Sequence, residues 1–290
     1  MNSFIKRARV YGSMVKFSHT IFAMPFALYG FFMGLVKNEF RFEALVFVLI
    51  LLCMVFARNA AMAFNRYADK RFDELNPRTS GRELPAGTIK PGAALVFVII
   101  NSVLFIIAAG FINTLTLILS PVALAVILGY SLTKRFTAYS HIFLGLALGL
   151  APVGAYISVT GYFSLIPVLT GLQVLAWVGG FDIIYSLQDT DFDRDNKLHS
   201  IPSRFGRKGA RVFSGLLHLV SFIIAFTAGL ISGSGLFYYI GTIIFGLLLT
   251  WEQYIARPGD TKSINMAFAT INSYAGVVFV AFAIADLLIA

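Results

Sequence analysis

The stretch AFNRYADKRFDELN, Ala63 to Asn76, closes an apolar run that begins near residue 41. Asn65, Asp69 and Asp73 stand in it at steps of four. At about 100° per residue, Arg58, Asn65, Asp69 and Asp73 share roughly 80° of arc, provided the helix continues through them. About twenty apolar residues are needed to cross hydrocarbon, so these oxygen-bearing side chains come just where the chain leaves a membrane. Asp and Asn oxygens suit hard cations.

The rest of the chain supports a membrane reading. Of 290 residues 58% are hydrophobic and 13% charged, with mean hydropathy +0.80; a soluble domain carries about 25% charged residues. Nine segments are long and apolar enough to span, at about 17–36, 41–64, 92–110, 114–133, 139–160, 164–186, 210–232, 236–255 and 266–288. Pro121, Pro152 and Pro167 fall in or beside them, where neighbouring helices re-satisfy freed carbonyls. The expected fold is an all-α integral membrane protein, one domain over 1–290. Cys53 is the single cysteine and lies mid-span, so no intrachain disulfide is possible. The basic N-terminus runs straight into a span without a cleavage site, so no removable signal peptide is expected.

The connections alternate in charge. Lys6, Arg7, Arg9, Lys16, the loops around 66–90, 134–135 and 194–211, and Arg257 with Lys262 hold 20 of the 23 basic residues. The other side keeps Lys37 and Arg41, and Arg58 is within a span. The positive-inside rule then puts the N-terminus in the cytoplasm and the C-terminus outside, in the plasma (inner) membrane. The net charge of +9 reads as topology. It is spread over loops instead of forming one basic domain, so nucleic-acid binding is not expected.

Topology does not need acids on the inside loops, yet two of these loops are acidic. NRYADKRFDELNPRTSGRELPAGTIK and FDIIYSLQDTDFDRDNKLHSIPSRFG hold 9 of the 14 acids. In the second, Asp182, Asp189 and Asp193 share a helical face by the same arithmetic. Two facing carboxylate columns repel unless cations lie between them, and Mg²⁺ completes its shell with water and substrate phosphate. Arg and Lys would hold the remaining phosphate oxygens. The plainer reading is a pair of solvated mixed-charge loops, which does not account for the repeated four-residue spacing. Arg58 and Asp182 lie about 10 Å deeper than Asn65 and Asp189. Charges inside a bilayer are usually functional, although these two could simply pair with each other. A short echo, GYSLTKRF against IYSLQDTDF, aligns Tyr130 and Lys134 with Tyr185 and Asp189.

These residues carry a resemblance. N-x-x-x-D-x-x-x-D at Asn65, Asp69 and Asp73, D-x-x-Y-x-x-x-D-x-x-x-D at Asp182, Tyr185, Asp189 and Asp193, Y-x-x-x-K-R at Tyr130, Lys134 and Arg135, and R-T-x-x-R-x-L-P-x-G from Arg78 to Gly87 resemble the UbiA superfamily of intramembrane prenyltransferases. Within it the chain looks most like the 4-hydroxybenzoate polyprenyltransferase branch of quinone biosynthesis. The resemblance implies nine transmembrane helices around a central cavity, capped by two cytoplasmic Asp-rich motif loops. It implies Mg²⁺ on Asn65, Asp69, Asp73, Asp189 and Asp193, with the four aspartates catalytic through the metals. The partners it implies are a polyprenyl diphosphate and an aromatic acid. Arg58, Tyr130, Lys134, Arg135, Asp182, Lys16, Arg71 and Arg82 become the substrate-facing residues, with His19 beside Lys16 and Arg58 matched to an acceptor carboxylate. Two departures stand out: Glu83 replaces a common Pro, and Asp191 and Asp195 make ligand assignment in DTDFDRD ambiguous.

Three functions remain open at this level. One is prenyl transfer to 4-hydroxybenzoate or to a menaquinone-route aromatic acid. Another is a transporter with cation-binding loops, which would place carboxylates along a midplane path. The last is a lipid phosphotransferase, whose expected D-x-x-D-G-x-x-A-R run is absent.

Overall fold

The computed structural model describes residues 10–15, 22–257 and 260–289, and these are largely helical, with no strand among them. The long elements are α1 (Met24–Lys37), α2 (Ala44–Ala68), α4 (Pro91–Gly110), α5 (Thr114–Gly129), α6 (Ser140–Thr160), α7 (Leu165–Ser186), α9 (Ile201–Ser232), α10 (Leu236–Ile255) and α12 (Asn272–Ile289). Short helices α3 (Lys70–Leu75), α8 (Thr190–Asp195) and α11 (Thr261–Asn265) lie between them. Among the described residues eight helices are long and apolar enough to cross a membrane, when α5, α7 and α12 are taken with the helical turns attached to them. The protein is therefore an integral membrane protein. The remaining helix, α1, has 14 residues, about 21 Å at 1.5 Å each, and is shorter than the span expected at 17–36.

Local signals fix several ends. Pro91 and Pro202 stand in the first turns of α4 and α9, where a missing N–H costs nothing. Asn113 caps α5 in a reciprocal box with Thr116, and Ser200 caps α9 with Ser203. α9 starts nine residues before the expected span and bends at Gly206, whose φ of 70° ends one helical run and begins the next. A π turn, Met266–Ile271, leads into α12.

Apolar side chains cover both the core and the outside. Phe26, Trp177, Phe245 and Phe279 are fully buried between α1, α7, α10 and α12. The Trp177 indole N–H donates to Asn272 Oδ1 at 2.8 Å. Leu52, Ile99, Val103, Ile118, Val122, Leu219, Ile223 and Leu247 face outward, as hydrocarbon contact requires. Polar groups turn inward instead, including Asn101, Gln173, Ser214 and His218. α6 packs on α1 and α7, and α7 on α9. The α6–α7 crossing depends on small residues: a methyl at Gly149 would collide with the Gly171 carbonyl, and one at Gly171 would meet Gly149 O at 2.7 Å. Small residues at such crossings let backbones approach in a membrane.

One geometric expectation fails. Neither Asp motif lies on a continuous helix. α2 makes its last bond from Asp69 N to Asn65 O at 2.9 Å, and Asp69 sits at φ −92°, ψ 6°. The next helix starts there, with Asp73 N on Asp69 O at 2.8 Å. In the second motif α7 tightens into a 3₁₀ turn, Leu187–Asp189, and Asp189 at φ −104°, ψ 8° opens α8. Asp69 and Asp189 are thus hinges in the sparsely populated bridge region, and the last aspartate of each motif, Asp73 or Asp193, is carried by a separate short helix.

Candidate active site

The hinges bring the two motifs to the mouth of one cavity of about 270 Å³. Its walls include Arg58, Asn65, Asp69 and Asp73 from the α2–α3 side, Tyr130, Lys134 and Arg135 from the turn after α5, and Asp182, Asp189 and Asp193 from the α7–α8 side. Arg82 from the first loop joins them. A second chamber of about 210 Å³ adjoins it, lined by Ala57, Ala61, Ala123, Ala147, Ala151, Phe105, Leu119 and Ile127 among others. Arg58, Tyr130, Leu144 and Leu148 line both spaces, so polar mouth and apolar chamber meet at that Arg–Tyr pair.

Asp69, Asp73, Asp189 and Asp193 each face a different cation. Arg135 stands 3.8 Å from Asp69, and Asn65 donates to Asp69 Oδ2 at 3.1 Å. Arg82 donates to Asp73 Oδ1 at 2.7 Å. Arg78 takes Asp189 in a two-pronged grip, Nε to Oδ1 at 3.0 Å and a terminal nitrogen to Oδ2 at 2.5 Å. Lys134 lies 3.4 Å from Asp193. Guanidinium and ammonium groups thus stand directly against the carboxylates, where the sequence reading placed metal cations between the columns and Arg and Lys on phosphate oxygens. The first loop is tied to the second: Asn76 also donates to Asp189 at 3.1 Å, and Arg78 reaches the Tyr185 hydroxyl at 3.2 Å.

Burial pushes the Asp69 carboxyl up to about 6, and the neighbouring Asp73 charge adds to the rise, against the pull of Lys134, Arg135 and Arg82. Burial works against the Arg78 guanidinium, but its hydrogen bond and ion pair with Asp189 raise it overall. The two motif halves thus differ in electrostatic satisfaction.

The donor chemistry fits a divalent cation. Asp73 Oδ2 is buried with no hydrogen-bond partner among the described residues. Among those residues no three Asp, Glu, His or Cys side chains form one metal-holding group. An ion here would therefore take one or two carboxylates and fill its shell with water and phosphate oxygens, which is the habit of Mg²⁺.

Most of the sequence-derived site residues come together. Arg71 does not: it is exposed and is not among the cavity-lining residues. It lies two positions from both Asp69 and Asp73, about 200° around a helix from each. Lys16 and His19 lie outside the described residues. Arg58 and Asp182 do not pair with each other; Asp182 is held by His141, Nδ1 to Oδ2 at 2.7 Å. Three residues absent from the sequence-derived site join it. Arg78 and Asn76 were within the quoted loop, but only the fold shows their reach to Asp189. Arg66 is 3% exposed, lines the cavity and has no hydrogen-bond partner for Nε among the described residues.

Known proteins resemble this chain over most of its length. The chain is 32% identical to a 4-hydroxybenzoate octaprenyltransferase of Aeromonas salmonicida (strain A449) over 232 residues, 80% of this chain and 78% of that one. It is 30% identical to the protein of that name from Alkalilimnicola ehrlichii over 81% of this chain and 80% of that one. The apo structure of a UbiA homologue from Aeropyrum pernix K1 superposes with TM-score 0.82 at 32% identity, covering 92% of this chain and 98% of that one. A UbiA homologue from Archaeoglobus fulgidus bound to DMAPP and Mg²⁺ shares the fold, with TM-score 0.71 at 20% identity over 97% and 99% of the two chains. The model of the UbiA prenyltransferase family matches residues 23–274, and the chain belongs to that family.

Proposed function

We propose that this enzyme transfers a polyprenyl group from its diphosphate to a ring carbon of an aromatic acid, with 4-hydroxybenzoate the leading acceptor in quinone biosynthesis. One observation carries the reading: two aspartate motifs and four cations converge on a polar mouth that opens into an apolar chamber. That is the shape of an amphiphile with a diphosphate head and a hydrocarbon tail. The curated relatives named for 4-hydroxybenzoate octaprenyl transfer support the acceptor.

Asn65, Asp69, Asp73, Asp189 and Asp193 would hold Mg²⁺, as the ion's presence with DMAPP in the Archaeoglobus homologue supports. When bound, such ions neutralise charge developing on a leaving diphosphate. Lys134, Arg135, Arg82 and Arg78 now neutralise the aspartates. They would turn to the phosphate oxygens as substrate enters. Arg58 and Tyr130, at the junction of the two spaces, would orient the acceptor, Arg58 through its carboxylate. Alanine side chains along the chamber leave room for the prenyl tail. The loops would face the cytoplasm, with the N-terminus inside and the C-terminus outside, on the strength of the charge bias.

The test is direct. Purified protein in lipid receives Mg²⁺, a polyprenyl diphosphate and, separately, a panel of aromatic acids, and prenylated product is read by mass. Product with 4-hydroxybenzoate is expected. Product only with a larger, menaquinone-route acid would keep the reaction and move the acceptor. No product with any acid would overturn the aromatic assignment. A transporter reading is disfavoured because the acids gather at one mouth of the bundle instead of along a path.

A further inference from the structure

His141 is fully buried, with none of its surface exposed, and it belongs to none of the motifs that define the site. It lies in the first turn of α6, and its two ring nitrogens have different partners. The backbone N–H of Ile201, in the first turn of α9, donates to Nε2 at 3.5 Å. That N–H is one of the donors a helix start leaves unpaired. A nitrogen that accepts carries no proton, which leaves Nδ1 as the donor. Nδ1 faces Asp182 Oδ2 at 2.7 Å, so His141 donates and Asp182 accepts as a carboxylate. His141 is behind the wall while Asp182 lines the cavity. Ser140, the residue before it, also lines the cavity, and its buried hydroxyl has no hydrogen-bond partner among the described residues.

Asp182 differs from the four rim aspartates in this respect. Each of those has a cation within 4 Å, whereas Asp182 takes its short contact from the His141 ring and feels the Lys134 charge from farther off. It also lies seven residues deeper on α7 than Asp189, about 10 Å, where a ring would lie if the diphosphate occupied the rim. A nucleophile activated by a base, with the base oriented by a third group, is a recurring catalytic arrangement.

We infer that Asp182 is the general base that takes the hydroxyl proton of a phenolic acceptor, and that His141 is the positioning residue that aims it. This rests on the aromatic-acceptor reading above. The acceptor O–H bond breaks and its proton bonds to an Asp182 oxygen. The ring carbon beside the resulting phenolate bonds to the allylic carbon as the bond from that carbon to diphosphate breaks. The new sp³ ring carbon then gives its hydrogen as a proton to the released diphosphate, and Asp182 returns its proton to the ring oxygen. The aromatic ring and the carboxylate are both restored.

Acceptor acidity tests the proposal. Wild type, Asp182→Asn, His141→Gln and His141→Leu would be assayed in lipid with Mg²⁺, a polyprenyl diphosphate, 4-hydroxybenzoate, and analogues fluorinated away from the reacting carbon. Asp182→Asn is expected to lose on the order of 10²-fold in kcat with the parent acceptor. The variant-to-wild-type ratio should recover at least about tenfold with the most acidic analogue, because a phenolate already formed needs no base. His141→Gln keeps a donor and should stay within a few fold, while His141→Leu should lose about tenfold in kcat with an unchanged KM for the diphosphate. A deficit independent of acceptor acidity would reduce Asp182 to a binding residue and overturn the inference. So would equal activity of His141→Leu and wild type. If His141→Leu does not fold, the Asp182→Asn ratio alone decides. Absence of transfer by wild type with every acceptor would overturn the function reading and this one with it, and is distinguished from the other outcomes by the wild-type arm.

Discussion

The two aspartate motifs use one backbone device and reach different electrostatic states. Asp69 and Asp189 each close a long helix at nearly the same dihedral angles and open a six-residue helix. Asp73 and Asp193 then occupy the fourth position of those helices. Deeper on the two helices the charges are opposite: Arg58 stands eleven residues before Asp69, and Asp182 seven before Asp189. The second motif is closed: Asp189 is gripped by Arg78 and Asn76 from across the mouth. The first is open: Asp69 has a distant Arg135 and an elevated pKa, and Asp73 keeps an oxygen with no hydrogen-bond partner among the described residues. The two sets are therefore not interchangeable: in the first, Arg82 takes one oxygen of Asp73 and leaves the other without a partner among the described residues, whereas in the second Arg78 takes both oxygens of Asp189.

Removing a carboxylate from either half should have the largest effect. Asp69→Asn and Asp189→Asn are each expected to lower kcat/KM by at least about 10²–10³-fold, the loss typical of deleting one group that stabilises developing charge. The variants should remain folded, judged by thermal melting in detergent. Near wild-type turnover by either one at saturating Mg²⁺ would break the assignment of metal ligands.

The next effect separates the halves. Arg78→Ala deletes the grip on Asp189 and the tether to Tyr185. Turnover should fall about 10–100-fold, as for an outer-shell partner. Arg82→Ala, which frees Asp73 in the already open half, should cost less. If the order is reversed, the closed half is not the second one.

A smaller and more selective effect belongs to the junction of the two spaces. Arg58→Ala should raise KM for the aromatic acid by about 10–100-fold, the worth of a charged hydrogen bond, and leave diphosphate binding within a few fold. Equal loss of both substrates would remove Arg58 from the acceptor site.

The sequence made the spans legible because hydropathy over twenty residues is a collective signal that local detail does not erase. Both motifs were legible too, since a four-residue spacing of acids beside an apolar run has few other causes. The hinges were not. Arithmetic at 100° per residue assumes an unbroken helix, and nothing in N-R-Y-A-D announces that α2 stops at Asp69. The pairs that matter electrically are equally hidden: Arg78 finds Asp189 from 111 positions away, and His141 finds Asp182 from 41. A single histidine in TAYSHIF has no periodic partner, and only the α6–α7 packing shows what it faces. Arg71 misled in the opposite sense, because a cation among motif acids looks like a ligand until the turn of α3 puts it outside.

The gentlest perturbation is protonation, and it addresses the open half alone. With Asp69 near 6 instead of its ordinary value near 3.8, the metal-free protein holds this proton more tightly folded than unfolded. The stabilisation from that proton is complete below about 3.8 and is lost as pH rises through about 6. Metal-free wild type should therefore melt at a higher temperature at pH 5 than at pH 8, and Asp69→Asn should reduce that difference. Mg²⁺ needs the ionised carboxylate, so its affinity should fall by up to about tenfold per pH unit below 6 and level off above about 7. Titration of Mg²⁺ at pH 5, 6 and 7 reads this without any substrate. An affinity independent of pH across that range would mean that Asp69 is already ionised, and the first half would then be no more open than the second.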